Sequence, residues 1–169
     1  MTTPPTFEQV RSLPCALERT VPAHFADANG HMNIARYLEL YNEAAWTAMA
    51  AVGLGEADAV AGRAASMAIE QHLRYLREVH VGDLLSCHLR LIGRSSKAVH
   101  QMYFLANLTT GVLASTLESL ELSVDLAARR VSPLPDHVVE LLDARISIDA
   151  ALPWQAPLSG AITARRAPS

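Results

Sequence analysis

At 169 residues, half of them hydrophobic and 18% charged, the chain is long enough for a substantial core and too apolar for disorder. A formal charge of −3 supplies none of the basic footprint that nucleic-acid binding needs, and no apolar run reaches the roughly 18 residues of a membrane span. The opening MTTPPTFEQVRSLP lacks the basic and apolar regions of a secretory leader, and Cys15 and Cys87 are too few for a disulfide framework. A cytoplasmic protein without nucleic-acid or membrane partners is expected.

Residues 1–14 read as an irregular lead-in, 15–146 as one domain and 147–169 as an extended or disordered tail. From Leu17 the chain alternates, with Val21, Ala23 and Phe25 on one face; Pro22 inside this strand places it at an edge or a bulge. A long helix follows. Ile34, Tyr37, Leu38, Tyr41, Ala45, Ala48 and Val52 form its apolar stripe, Asn33 stands at the N-cap position, and Gly53 suits a left-handed stop. Leu54–Ala65 is a connection with room for one helical turn.

Four strands succeed it without another helix. The first sets Met67, Ile69, Leu73 and Tyr75 on one face, and the second aligns Leu85, Cys87, Leu89 and Leu91. The third runs from Lys97 to Asn107 and the fourth from Val112 to Val124. Hairpin-length turns between them imply an antiparallel sheet, so the order is α+β with the helix covering one sheet face. After a proline-bearing break, Asp136 opens a short helix.

Chemistry is concentrated ahead of the long helix. A loop of small and polar residues delivers Asp27 to a helix N-terminus, where unpaired N–H groups favour negative charge and could stabilise a developing oxyanion. Asp27 could attack a carbonyl or activate water there. Asp27 and Asn29 could equally do no more than form Asx turns and cap the helix.

Asp27-Ala-Asn-Gly-His-Met-Asn33, followed by Tyr37 and a helix ending at Gly53, resembles the D-x-x-G-H-x-N segment of hotdog-fold thioesterases related to 4-hydroxybenzoyl-CoA thioesterase. The likeness continues through His72–Val79, Gly82-Asp83 and Gly93–Lys97, spanning roughly residues 17–125. The same segments are similar to thioesterases associated with carnitine and betaine breakdown, although Gln101–Asn107 departs from the histidine-rich stretch of that subgroup. The resemblance implies a hotdog fold, an antiparallel sheet wrapped around one long central helix. It implies acyl-CoA thioester hydrolysis, with Asp27 as nucleophile or general base and the Ile34 backbone N–H polarising the carbonyl. No cofactor is implied beyond the coenzyme A of the substrate.

The remaining candidates are weighed beside that core. His31 could orient substrate or Asp27, but a loop hydrogen bond is the simpler role, and Asn33 is foremost a cap. Tyr41 and Trp46 could line an acyl pocket or cradle a quaternary ammonium, though aromatics at helical spacing usually fill cores. Glu39 and Glu43 lie off the stripe, where Glu43 could bind substrate or simply be solvated. Arg94, Ser95, Ser96 and Lys97 form a basic turn suited to CoA phosphates, with Arg74 and Arg77 as further candidates. No H-x-x-x-H or C-x-x-C pair suggests a metal. An uncovered strand edge predicts a homodimer, and the resemblance adds tetramers. Alternatives are a hotdog enoyl-CoA hydratase or dehydratase, and a non-catalytic acyl-CoA-binding module.

Overall fold

The computed structural model describes residues 4–62 and 64–164. The lead-in contains a helix, α1 (Phe7–Arg11), held by a reciprocal capping box between Thr6 and Gln9. β1 (Cys15–Thr20) ends sooner than its alternation suggested. Pro22 precedes a 3-10 turn at Ala23–Phe25, so the segment that reads as a continuing strand bends away and buries Phe25.

The long helix is α2 (Ile34–Ala50). Asn33 accepts the Ala35 N–H at 3.0 Å, and Gly53 stops the chain in the left-handed region at φ +76°. Its buried side is Tyr37, Leu40, Tyr41, Ala44 and Met49. Ile34 and Leu38 are 63% and 43% exposed, so the apolar stripe divides between the core and an open cleft. A short helix, α3 (Glu56–Val60), follows Gly55. A methyl on Gly55 would stand 2.8 Å from the Ala50 Cα, which backbone cannot yield cheaply. Gly55→Ala is expected to cost about 1–3 kcal/mol in chemical unfolding, the usual range for overpacking.

β2 (Ala65–Tyr75), β3 (Leu84–Arg94), β4 (Ala98–Asn107) and β5 (Val112–Asp125) build the antiparallel sheet, in the order β1-β3-β4-β5-β2. A two-residue β6 (Arg130–Val131) pairs with β5. The sheet curls around α2. Leu85, Cys87, Leu89 and Leu91 of β3 and Val99, Tyr103 and Leu105 of β4 join the α2 residues in the main core. This is the hotdog arrangement. β1 and β2 are the two edge strands, and the register of β2 slips between Ala68 and Glu70. That bulge resets the alternation: Ser66, Ala68 and Gln71 line the cleft with α2, while Met67 and Ile69 are 51% and 54% exposed. Met67 and Ile69 therefore do not share one inward face with Leu73 and Tyr75.

The C-terminal region differs most from expectation. α4 (Asp136–Ala150) runs fifteen residues, taking 147–150 into the helix. Its buried Asp149 accepts the Leu91 N–H at 2.8 Å and pairs with Arg145 at 3.0 Å. Residues 152–162 then cross the convex face of the sheet. Trp154 and Ala156 join Val10 and Leu13 against Met102, Phe104 and Ala106, and Ile162 packs on Ala98 and Leu120. Arg90 stacks its guanidinium 4.4 Å over the Trp154 ring and donates to the Trp154 carbonyl at 2.6 Å. Buried Glu118 accepts the Ser159 N–H at 2.7 Å and meets His100 at 2.8 Å. Beyond α4 the tail is irregular chain packed against the sheet as far as residue 164; residues 165–169 lie outside the described residues.

Candidate active site

A tight loop presents Asp27. Its carboxylate accepts the Asn29 N–H at 2.8 Å, its carbonyl accepts the Gly30 N–H at 3.0 Å, and its own N–H donates to the His31 carbonyl at 3.1 Å. Gly30 turns at φ +83°, where a side chain would strain the backbone. The loop is anchored on both sides: Met32 N–H donates to the Val79 carbonyl at 2.7 Å, and Asn33 N–H donates to the Phe25 carbonyl at 2.8 Å. The Asp27 side chain is 22% exposed. His31 Nδ1 stands 4.0 Å from its carboxylate, beyond hydrogen-bond reach, and 3.4 Å from the Met32 carbonyl. The Asn33 amide contacts the other Asp27 oxygen at 3.4 Å while its carbonyl oxygen caps the helix.

Next to this loop α2 begins. Ile34 occupies the first helical position, so its N–H has no intrahelical acceptor. Ile34, His31, Tyr37, Tyr75 and Arg77 line a surface cavity of about 280 Å³. Tyr37 and Tyr75 meet edge-to-face at 5.0 Å between ring centroids. Burial pushes the Tyr37 phenol up to about 12, helped by Tyr75 and Glu78, so it stays protonated. Asp27, Asn33, His31 and Ile34 are therefore brought together at one helix start.

A second cavity of about 290 Å³ continues along the cleft between α2 and β2. Leu38, Tyr41 and Trp46 line it from the helix, as do Tyr103, Ser119 and Glu121 from the sheet. Tyr41 shares a 2.6 Å hydrogen bond with Ser115, and burial raises its phenol well above the ordinary range. Burial also raises Glu121 above the usual carboxylate range, opposed by hydrogen bonds from Ser66 and Gln101. Sequence reasoning missed Tyr103, Ser119 and Glu121. For Ser119 and Glu121 the signal was a run of polar residues alternating along β5 with Ser115, masked because the outward positions are equally mixed; Tyr103 reads as an ordinary core aromatic of β4.

The other candidates fall elsewhere. Glu43 does not line either cleft cavity; its carboxylate is paired with Arg19 at 2.5 Å. Glu39 pairs with Arg36 at 2.6 Å. Arg94 is held by Asp143 through two hydrogen bonds, of 2.7 and 2.5 Å, so two of its donors are already engaged. Ser95 accepts the N–H groups of Lys97 and Ala98, and Ser95, Ser96 and Lys97 edge a different cavity with Ala161 and Thr163. Arg74 is remote from that turn. Leu122 pairs with Ala98 and Thr116 with Arg74, a separation along β5 of roughly 20 Å at strand rise. The basic turn, Arg74 and Asp27 are not one cluster within a single copy. Arg77, lining the Ile34 cavity, is the better placed cation.

Residues 21–142 match the family model of the thioesterase-like superfamily, taking in the Asp27 loop, α2 and the whole cleft. The chain belongs to this superfamily. Betainyl-CoA thioesterase of Pseudomonas aeruginosa is 29% identical over 136 residues, covering 80% of this chain and 86% of that protein. The L-carnitine dehydrogenase/betainyl-CoA thioesterase of Agrobacterium fabrum is 32% identical over 126 residues, 75% of this chain. This thioesterase-family chain spans only about a quarter of that longer relative, 26%. A Staphylococcus aureus protein solved in complex with CoA superposes with a TM-score of 0.78 at 22% identity, covering 89% of this chain and 96% of that one. Among the described residues no helix is long and apolar enough to cross a membrane.

Proposed function

We propose that the substrate is an acyl-CoA whose thioester carbonyl lies at the start of α2, accepting a hydrogen bond from the Ile34 N–H with the Asp27 carboxylate beside it. The observation that carries this is a fixed, partly shielded carboxylate in contact with the N-cap residue Asn33, next in the chain to Ile34, whose N–H has no intrahelical acceptor and which lines the aromatic cavity. In one route an Asp27 oxygen attacks the carbonyl carbon and the C–S bond breaks, giving a mixed anhydride and CoA thiolate. Water then hydrolyses the anhydride and restores the carboxylate. In the other, Asp27 takes a proton from water as that water attacks the same carbon. Arg77 supports phosphate or pantetheine contacts better than Arg74 does.

Exposed Ile34, Leu38, Trp46 and Tyr75 line the cleft, while Met67 and Ile69 are exposed on the other face of the edge strand β2. We place a second copy there, edge to edge, which would close the cleft and shield apolar surface. The convex face is already covered by α1 and residues 152–162, so pairing through β2 is favoured over back-to-back stacking.

A thiol-release screen over short, long, aromatic and betainyl CoA esters tests the reaction. At least one ester should release thiol, and loss of an enoyl chromophore from crotonyl-CoA without thiol would replace hydrolysis by hydration. Single turnover in heavy-oxygen water should leave label in Asp27 if the anhydride forms and in the product acid alone if water attacks directly.

A further inference from the structure

Glu121 is a half-buried carboxylate that has no basic partner among the described residues. It accepts hydrogen bonds from Ser66 Oγ at 2.5 Å and Gln101 Nε2 at 2.6 Å, both neutral groups. Among the described residues no lysine, arginine or histidine lines the cavity it faces. Buried carboxylates are ordinarily paired, because hydrogen bonds from neutral donors do not cancel the charge. Two further polar atoms nearby, Tyr103 Oη and Ser119 Oγ, are buried with no hydrogen-bond partner. Such orphans call for an explanation, and here they share one wall with Glu121. Across the cavity stand Trp46 and Tyr41. Aromatic faces around a carboxylate form the environment that holds an ammonium cation.

We propose that this cavity is the subsite for a positively charged acyl end group, a substituted or quaternary ammonium, with Glu121 as counter-ion and Trp46 as aromatic wall. The subsite deepens the thioesterase reading, on which it rests for the ester but not for the cation. Leu38, at its near end, lies one helical turn from Ile34, about 6 Å along the axis. Glu121 is farther: it pairs with Ala68 while Ser115 pairs with Tyr75, roughly 20 Å along β5. One copy would therefore hold both ends of a long acyl chain carrying a terminal cation. A short cationic acyl group would place its carbonyl on one copy and its charge in the cavity of the other.

Two matched ester pairs test this. The short pair is betainyl-CoA and its neutral carbon isostere, tert-butylacetyl-CoA. The long pair is an ω-trimethylammonio fatty acyl-CoA and its ω-tert-butyl counterpart. In at least one pair the cationic ester should show a kcat/KM roughly tenfold or more above its isostere, as expected for a desolvated charge contact. Glu121→Gln should bring that ratio to about one, because it removes the charge that only the cationic ester uses. Preference in the long pair alone places the acyl group within one copy, and preference in the short pair places it between copies. Equal turnover of both pairs overturns the subsite.

Binding is read separately by titrating tetramethylammonium against tryptophan fluorescence, with Trp46→Phe to assign the signal. Saturation in the wild type and its loss in Glu121→Gln support the subsite even if no ester releases thiol. Unchanged binding in Glu121→Gln overturns it even if neutral esters are hydrolysed. Gln101 can turn its unpartnered Oε1 toward the new amide, so the variant should fold. The raised pKa of Glu121 means its ionised form costs the empty protein stability as the pH rises. Glu121→Gln is accordingly expected to melt no lower than wild type at alkaline pH, whereas a purely structural carboxylate would leave it less stable.

Discussion

Asp27→Asn is expected to lower kcat by about a thousandfold or more, the scale of losing a nucleophile or general base. The amide can neither attack the thioester nor accept a proton from water. Its shape is nearly that of the acid, and its remaining oxygen can still receive the Asn29 N–H, which lies 2.8 Å away in the native loop. The second contact, to the Asn33 amide, is already long at 3.4 Å, so little stability is at stake: about 1 kcal/mol at most for one weak hydrogen bond. The melting temperature and oligomeric state should stay near wild type while thiol release stops. Near-native turnover in a folded Asp27→Asn protein would remove Asp27 from the chemistry and return it to the loop-capping role.

Trp154→Ala should cost about 3–5 kcal/mol, the usual toll of an aromatic truncation in a packed site. Trp154 is 7% exposed, stacks on Arg90 and packs edge-to-face against Phe104 at 5.6 Å. Its loss leaves the Arg90 guanidinium, itself only 5% exposed, without its aromatic partner. For a chain of this length that deficit corresponds to a drop in Tm of roughly 10 °C, measurable by calorimetry. A Tm within about 2 °C of wild type would show that the C-terminal segment adds little to the fold. The active-site loop lies on the other side of the sheet, so kcat at low temperature should change far less than stability.

These two residues also mark what the sequence made legible. Asp27 stands in a short segment whose cap, turn glycine and helix stop are local devices, each dictated by neighbouring backbone, and all three could be read in order. The start of α2 at Asn33 and its end near Gly53 followed from that. Trp154 lies in a stretch rich in alanine and proline, and composition of that kind suggests disorder. What orders it is distant: Arg90, Phe104 and Glu118 are nonlocal partners that no spacing rule connects. The same limit hid Glu121. Both faces of β5 are covered, one by α2 and the other by the C-terminal segment, so alternation along the strand carried no sign to tell inward from outward. Ile34 and Leu38 were read as core because a cleft lined with apolar side chains has the periodicity of a buried stripe. At Pro22 the local rule was right that the strand lies at an edge, since β1 ends the sheet, but the strand stops at Thr20 and Pro22 leads into a turn.

Residues 4–13 and 152–164 both rest on the convex side of the sheet, with the Asp27 loop and the β2 edge facing elsewhere. Any polypeptide joined beyond either of these segments would start out behind the catalytic groove. A tethered neighbour could then be accommodated without obstructing the Asp27 loop or the proposed seam along β2. Such a layout makes the module portable between free-standing and composite proteins.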